Sequence, residues 1–253
     1  MHSGPAFQPV ALLRQALPSL LRLALPGACA LCGGPCRDVL CAACEAQFFG
    51  LGRRRCRRCG NPHEGGDAID SVECGACLAD PPPFDATVAA ADYAAPVDQL
   101  LLQLKFGGRL ALAGLLARLL RDAVLDQPGF ALPALLCPVP LGPARLAERG
   151  FNQALEIARP LARTLGIALA PRLAARVHET PAQTRVSPAE RRRNMVQAFA
   201  VPPQSAPLVW GRHIGIVDDV MTSGGTLDEL AATFKRYGAV RVSNLVFART
   251  PPR

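Results

Sequence analysis

The residues best suited to chemistry in this chain lie between positions 214 and 226, where the sequence reads IGIVDDVMTSGGT. The apolar run that opens this stretch is typical of a buried strand, so Asp218 and Asp219 are expected to emerge at the strand's end. The small residues that follow lead into a helix, and the hydroxyls and N–H groups at such a helix start bind a phosphate. Adjacent carboxylates accept hydrogen bonds from vicinal hydroxyls. The two halves together predict a site for ribose 5-phosphate.

Five consecutive residues are predicted to hold the phosphate. They are Thr222, Ser223, Gly224, Gly225 and Thr226. The two glycines would let the backbone approach an anion closely. Neither the G-x-x-x-x-G-K-[ST] pattern of nucleoside triphosphate loops nor the G-x-G-x-x-G pattern of dinucleotide sites occurs in the sequence, so these two classes of phosphate site are excluded.

Eight of the ten cysteines form four C-x-x-C pairs within 49 residues. The pairs are Cys29/Cys32, Cys41/Cys44, Cys56/Cys59 and Cys74/Cys77. Two such pairs complete a four-thiolate site, so the sequence predicts two structural zinc sites, with iron as the alternative metal. Sequential and interleaved pairings both satisfy the spacing. Cys36 and His63 are possible substitute ligands, whereas Cys137 lies in an apolar pattern that indicates buried core.

Strand and helix patterns alternate after the prolines at 81–83, which indicates an α/β fold with a mostly parallel sheet covered on both faces. Ligands of such sheets bind beyond the carboxyl ends of the strands. We expect a short amphipathic helix over residues 1–28, a double zinc-ribbon domain over 29–80 and the α/β domain over 81–253. No run of 18 apolar residues lacks a charge or a proline, so no membrane span is predicted, and a cytoplasmic location is expected.

The 253-residue chain carries a formal net charge of +8, which favours anionic partners. Five arginines flank the second group of cysteines in the stretch RRRCRRC at 53–59. Two interpretations stay open. The arginines form a solvated face that offsets thiolate charge, or they contact nucleic acid.

The stretch IVDDVMTSGGT resembles the PRPP-binding signature of type I phosphoribosyltransferases, where PRPP is 5-phosphoribosyl 1-pyrophosphate. A longer series of motifs resembles the ComF family of bacterial competence-related proteins. In chain order these motifs are the cysteine pairs, LKFGGRLALAGLLARLL, PVPLGPARLAERGFNQALEIA and PAQTRVSPAERRRNMVQAF. Two departures from the family pattern, at Gly142 with Ala144 and at Arg185-Val186, affect substrate preference more than fold.

The resemblance implies a type I phosphoribosyltransferase fold, with Asp218 and Asp219 on the ribose hydroxyls and Mg²⁺ at the pyrophosphate. The loop at 140–152 would place Arg145 and Arg149 near that pyrophosphate, and a mobile basic loop at 183–199 would bring Arg191. Three functions are compatible with it: phosphoribosyl transfer to an unidentified nitrogen acceptor, PRPP or nucleotide sensing without turnover, and handling of single-stranded DNA during uptake.

Overall fold

The computed structural model describes residues 27–49, 54–62, 73–177 and 198–251. The chain divides into two compact units, Met1–Phe48 and Phe49–Arg253. The helix predicted for residues 1–28 lies outside the described residues, apart from Gly27–Ala28, which form a short strand. Most of the predicted mobile loop at 183–199, including Arg191, also lies outside them.

The first unit contains a two-stranded antiparallel ribbon and a helix. Strand β1 (Gly27–Ala28) pairs with β2 (Pro35–Cys36), and helix α1 (Ala42–Phe49) begins one residue after Cys41. The ribbon and the helix start bring the first two cysteine pairs together.

A five-stranded, wholly parallel sheet forms the centre of the second unit. In chain order its strands are β3 (Ala86–Asp92), β4 (Leu135–Pro138), β5 (Ala168–Leu169), β8 (His213–Met221) and β9 (Arg241–Arg249). Their order across the sheet is β3-β9-β8-β4-β5. A separate antiparallel pair joins β6 (Ala175–Arg176) to β7 (Phe199–Ala200). The parallel sheet confirms the predicted α/β class.

Helices and one 3₁₀ turn (Pro203–Ser205) connect these strands. The helices are α2 (Gly75–Ala79), α3 (Asp98–Lys105), α4 (Leu112–Leu125), α5 (Pro143–Arg149), α6 (Gln153–Leu165), α7 (Ala206–Val209) and α8 (Gly225–Arg236). Helix α6 is followed by Gly166, whose φ of 67° makes it a left-handed cap. Within the described ranges, no helix combines the length and apolar character that a bilayer crossing requires.

The sheet is covered on both faces. Consecutive residues of a strand point to opposite faces of the sheet. On β8, Ile214, Ile216 and Val217 are inaccessible to solvent and Gly215 is buried, so neither face of this strand is open to solvent. Helices α4 and α6 pack against each other and against the strands, and Phe234 of α8 belongs to the same buried cluster as Ile216 and Val246. This burial holds β8 and β9 in one position.

Gly215 leaves room on one face of the sheet for two neighbouring side chains. A Cβ atom at this position would lie 2.6 Å from Cδ2 of Leu136 and 2.7 Å from Cγ of Pro133, so either side chain would have to move. Gly215 pairs with Leu136 in the parallel register. The absence of a side chain at 215 therefore lets Leu136 and Pro133 pack over β8 beside the candidate site.

The end of β8 differs from the prediction. The sequence pattern placed Asp218 and Asp219 at the end of the strand, but β8 continues two residues past them, to Met221. The physical reason is its neighbour β9, which pairs with β8 as far as Met221, opposite Arg249. Long-range pairing of this kind is not visible in a local pattern.

Candidate functional site

The candidate site lies where the chain leaves β4 and β8 in opposite directions across the sheet. From β4 the next strand of the sheet is β5 on one side, and from β8 it is β9 on the other. Strand β4 ends at Pro138, opposite Val217, so the last four residues of β8 extend beyond it. Such a switch point in a parallel sheet is where α/β proteins bind ligands. The predicted residues thus lie at the edge where a ligand is expected.

Residues 222–226, which we call the phosphate loop, connect β8 to α8. Thr222 and Ser223 are exposed, and Gly224 has a φ of 88°, a conformation that favours glycine. A Cβ at Gly224 would also lie 2.9 Å from the Met221 methyl carbon. Helix α8 starts at Gly225, and the first N–H groups of a helix have no partner within it. The loop therefore combines exposed hydroxyls with the N–H groups of a helix start, which are the donors that an anion site requires.

Asp219 is the more enclosed of the two carboxylates and has two partners. Its side chain is 5% exposed and forms an ion pair through Oδ2 with Nζ of Lys105, at the end of α3. Its Oδ1 accepts a hydrogen bond from Nε2 of Gln153 at 3.4 Å. The site thus combines side chains from β8, α3 and α6.

Gln153 brings an unused acceptor to this cluster. The residue is buried, and its Oε1 has no hydrogen-bond partner among the described residues. The preceding residue, Asn152, fixes the start of α6, because its Oδ1 accepts from the N–H groups of Ala154 and Leu155. Asn152 also donates through Nδ2 to the Val139 carbonyl at 2.9 Å. The motif RGFNQ therefore anchors α6 to the end of β4 and directs Gln153 toward Asp219.

Asp218 has a different electrostatic environment from Asp219. Burial raises its pKa well above the ordinary value of 3.8, and the negative charge of Asp219 raises it further. Its Oδ1 accepts the backbone N–H of Asp219 at 2.9 Å, and Lys105 opposes the shift. The two adjacent carboxylates therefore destabilise the folded protein, and such an arrangement is typical of a ligand site.

This arrangement predicts that Asp218→Asn stabilises the free protein at neutral pH. A raised pKa means that the folded state binds the proton more tightly, so the stability from this group is complete below pH 3.8 and is lost as pH rises through the raised value. The asparagine side chain carries no titrating proton, so the variant does not lose this stability as pH rises. We expect a higher Tm than wild type at pH 7 and no difference near pH 3.5, measured by thermal unfolding across pH. Asp122→Asn, on the exposed face of α4, is the control; an equal rise there would contradict the prediction.

The three predicted arginines have different positions. Arg149, at the end of α5, stacks over the exposed ring of Phe106, 5.4 Å from the ring centroid, and Phe106 follows Lys105. Arg149 thus lies on the Lys105 side of the site. Arg145 is exposed on α5, and Arg191 lies outside the described residues.

The structure resolves the pairing of the cysteines as sequential. The first tetrad is Cys29, Cys32, Cys41 and Cys44, and the second tetrad is Cys56, Cys59, Cys74 and Cys77. Within each tetrad all four sulfurs lie within 4.8 Å of one another. The Sγ–Sγ distance is 3.8 Å between Cys32 and Cys41 and 3.7 Å between Cys59 and Cys74. A tetrahedron with Zn–S bonds of about 2.3 Å has edges of about 3.8 Å, so both tetrads fit zinc.

Backbone N–H groups support the thiolate form of Cys56 in the second tetrad. Cys56 accepts from the N–H of Cys59 at 3.5 Å and from that of Cys74 at 3.2 Å. A hydrogen bond with the Cys59 thiol and these backbone donors lower the pKa of Cys56 to about 4, against the opposing effect of burial. Thiolates are the form that binds metal.

The other candidate ligands are not part of either tetrad. The Cys36 thiol donates to the Asp38 carbonyl at 2.8 Å, and His63 lies outside the described residues. Cys137 is fully buried in β4, and burial raises its pKa to about 12. Cys137 is therefore a core residue, as predicted.

The second tetrad belongs to the same unit as the sheet and contacts strand β3. Arg55 forms an ion pair with Asp92 at 2.8 Å, and the Arg57 carbonyl accepts from the N–H of Thr87 at 2.9 Å. Arg58 pairs with Glu73 at 2.9 Å and donates to the Phe84 carbonyl at 3.2 Å. Arg55 and Arg58 thus hold the second tetrad to the sheet, a role that neither interpretation of the arginine cluster included. Arg53 lies outside the described residues.

Lys105, Gln153 and Arg249 were not among the predicted site residues. Lys105 is one of only two lysines in the chain, and Gln153 follows a helix-capping Asn, so both carried a weak signal. Arg249 directly follows the apolar run LVFA at the end of the strand pattern AVRVSNLVFAR and is buried in the structure. A buried charge near a strand's carboxyl end is the signal that identifies such a residue.

Two family models match separate parts of the chain. The double zinc ribbon domain matches residues 20–78, and the phosphoribosyl transferase domain matches residues 152–252. The first range contains both tetrads, and the second contains Gln153, the two carboxylates and the phosphate loop.

Curated relatives match almost the whole chain. DNA utilization protein YhgH of Salmonella typhimurium is 38% identical over 237 residues, which cover 90% of this chain and 99% of the relative. YhgH of Escherichia coli K12 is 36% identical with the same coverage. Competence protein F of Haemophilus influenzae is 31% identical over 216 residues, or 84% of this chain and 91% of that protein. The chain therefore belongs to the ComF family and combines a double zinc ribbon with a phosphoribosyltransferase domain.

Proposed function

We propose that this protein binds PRPP at the carboxyl edge of β4 and β8 and transfers its phosphoribosyl group to a nitrogen acceptor. The observation that carries the proposal is the convergence of the phosphate loop with Asp218, Asp219, Lys105 and Gln153 at one switch point of the sheet. Among these groups are donors for the 5-phosphate, acceptors for the ribose diol and a cation for the pyrophosphate. Those are the three parts of PRPP.

Each part of the ligand has residues of matching chemistry. The N–H groups and hydroxyls of the phosphate loop would bind the 5-phosphate. Asp218 and Asp219 would accept hydrogen bonds from the ribose hydroxyls. The Oε1 of Gln153, which has no partner in the described part of the chain, adds one buried acceptor beside them. Lys105 and Arg149 would face the pyrophosphate. Lys105 pairs with Asp219 in the free protein, so Asp219 would interact with both Lys105 and the ribose once the ligand is bound.

The proposed transfer needs no covalent intermediate with the protein. The C1–O bond to pyrophosphate breaks with its electron pair on the departing oxygen, while the acceptor nitrogen supplies the pair for the new C1–N bond and then loses a proton. The cations stabilise the charge that develops on the pyrophosphate, and the enclosed carboxylates hold the ribose in place. Carboxylate oxygens are suitable donors for Mg²⁺, which would add positive charge at the pyrophosphate when bound. Arg145 and Arg191 are proposed to contribute from the surrounding loops.

Calorimetric titration of the zinc-loaded protein with PRPP and Mg²⁺ tests the proposal. We expect the wild type to bind, and the variant Asp218→Asn/Asp219→Asn to bind at least about 100-fold more weakly, since each charged hydrogen bond is worth about 1.5–3 kcal/mol. Asp122→Asn is the matched control for charge and should bind like the wild type. Pyrophosphate release with candidate bases then identifies the acceptor. Absence of binding by the folded wild type would refute the proposal.

The names of the relatives favour a second candidate function, the handling of DNA. The YhgH proteins are named for DNA utilization and the Haemophilus protein for competence. The positive net charge is compatible with a nucleic-acid partner. Since Arg55 and Arg58 serve the docking of the second tetrad, a DNA contact would depend on other cations of the chain. A single-stranded oligonucleotide whose affinity falls steeply with salt would support this function.

A further inference from the structure

Arg249 connects two functional regions of the second unit. It is the last residue of β9 and is buried. The parallel register places it beside Met221 on β8, where the phosphate loop begins, and beside Asp92 on β3, which pairs with the second tetrad through Arg55. Its position is therefore between the loop and the tetrad.

The guanidinium of Arg249 donates to carbonyl groups on both sides. On the loop side, Nη1 donates to the carbonyls of Met221, at 3.0 Å, and of Thr222. It also donates to the carbonyl of Thr250 at 3.0 Å. On the tetrad side, Nε donates to the Cys59 carbonyl at 3.0 Å. A planar, rigid group with several donors can hold all of these carbonyls at once, which a single ammonium cannot.

The tetrad side of this connection is itself fixed. The turn at residues 56–60 is closed by the Gly60 N–H, which donates to the Cys56 carbonyl at 2.9 Å. Arg55 donates to the Gly60 carbonyl at 3.1 Å, and a Cβ at Gly60 would lie 3.0 Å from Cγ2 of Thr87 on β3. The turn therefore offers the Cys59 carbonyl to Arg249 from a defined position.

We propose that Arg249 is a positioning residue that holds the phosphate loop to the second tetrad, so that metal loading of that tetrad sets the loop's order and its affinity for ligand. The statement on affinity rests on the proposed function, whereas the statement on loop order does not. Coupling of this kind is reciprocal, because a bound ligand that orders the loop must equally favour the metal-loaded tetrad.

Amide hydrogen exchange in the full-length, zinc-loaded protein tests the coupling without any ligand. The reporters are the Asp228 N–H, which donates to Gly224, and the Thr250 N–H, which donates to Met221. We expect Arg249→Met to speed exchange at both amides by at least about ten-fold, since it removes hydrogen bonds from a charged donor. Exchange at Ile216, in the centre of β8, should stay slow and would show that the core is intact.

Two further variants separate bridging from charge. Arg249→Lys keeps the charge but cannot span the carbonyls, so we expect it to behave like Arg249→Met. Arg236→Met removes a charge from α8, where Arg236 pairs with Glu229, and should change neither rate. Recovery of slow exchange in Arg249→Lys, or unchanged exchange in Arg249→Met, would overturn the proposal.

The link to the metal is tested by Cys74→Ser. This variant should speed exchange at Asp228 and Thr250, and adding Arg249→Met to it should give no further increase. Unchanged exchange at Asp228 and Thr250 in a Cys74→Ser protein whose Ile216 amide stays protected would overturn the role of the tetrad. If Ile216 also loses protection, the exchange rates of the Arg249 variants decide whether the link to the tetrad holds the loop.

PRPP affinity is the final readout and separates this proposal from the proposed function. We expect Arg249→Met and Arg249→Lys to bind PRPP with Mg²⁺ at least about ten-fold more weakly than wild type, and Arg236→Met to match it. If the wild type binds no PRPP, the proposed function fails while the exchange rates still decide the coupling. If PRPP binds equally to wild type and Arg249→Met, the coupling fails and the proposed function stands.

Discussion

Replacing Cys56 with serine is expected to lower the stability of the second unit by about 3 kcal/mol or more, because a structural zinc site contributes on the order of 10 kcal/mol to folding. Cys56 is fully buried, and its sulfur accepts two backbone N–H groups in addition to its place in the second tetrad. A loss of 3 kcal/mol corresponds to a fall of roughly 6–12 °C in Tm for a unit of this size. Scanning calorimetry, with zinc content measured on the same samples, checks this prediction.

Cys32→Ser is the comparison for that experiment. Cys32 is exposed and belongs to the first tetrad, which lies in the other unit. We expect a smaller fall in the Tm of the transition that reports the sheet. A Cys56→Ser protein that has lost one zinc ion and keeps the wild-type Tm would show that the second tetrad does not stabilise the sheet.

Replacing Lys105 with methionine is expected to destabilise the protein by about 3 kcal/mol, since it leaves the enclosed Asp219 carboxylate without its counter-charge. Adding Asp219→Asn should recover most of this loss, because the side chain that Lys105 pairs with is then neutral. Denaturant unfolding of the two single variants and the double variant measures the coupling between the side chains. If the two losses simply added, Lys105 and Asp219 would not act as a pair.

The same variants separate stability from ligand binding. The double variant Lys105→Met/Asp219→Asn should be nearly as stable as wild type, yet bind PRPP poorly if Asp219 holds the ribose. A pair of opposite charges that is neutral for stability and essential for binding would identify the pair as part of the site.

The parts of this structure that sequence predicts well are those encoded by neighbouring residues. The C-x-x-C pairs specify four-thiolate sites through spacing alone, although both pairings remained possible until the chain was folded. The run from Ile214 to Thr226 likewise specifies a strand, a loop and a helix start by local chemistry. The parallel sheet follows from the alternation of strand and helix patterns.

The parts that sequence did not predict depend on contacts between distant residues. The ion pair of Lys105 with Asp219 joins positions 114 residues apart, and the hydrogen bond from Arg249 to Cys59 joins positions 190 apart. Asp218 and Asp219 were expected to be the last residues of their strand, because the pairing with β9 that extends β8 to Met221 has no local signature. Each of these features is set by which strands become neighbours in the sheet.

The contact between the second tetrad and β3 has a consequence for how the protein behaves when metal is scarce. Strand β3 lies at the edge of the sheet, with β9 on one side, and the Thr87 N–H on its other side is paired with the Arg57 carbonyl. An uncovered edge strand is a template for pairing with another chain. Without zinc to hold the turn in place, that edge would be open to other chains, so zinc-starved protein is expected to be lost to self-association as well as to unfolding.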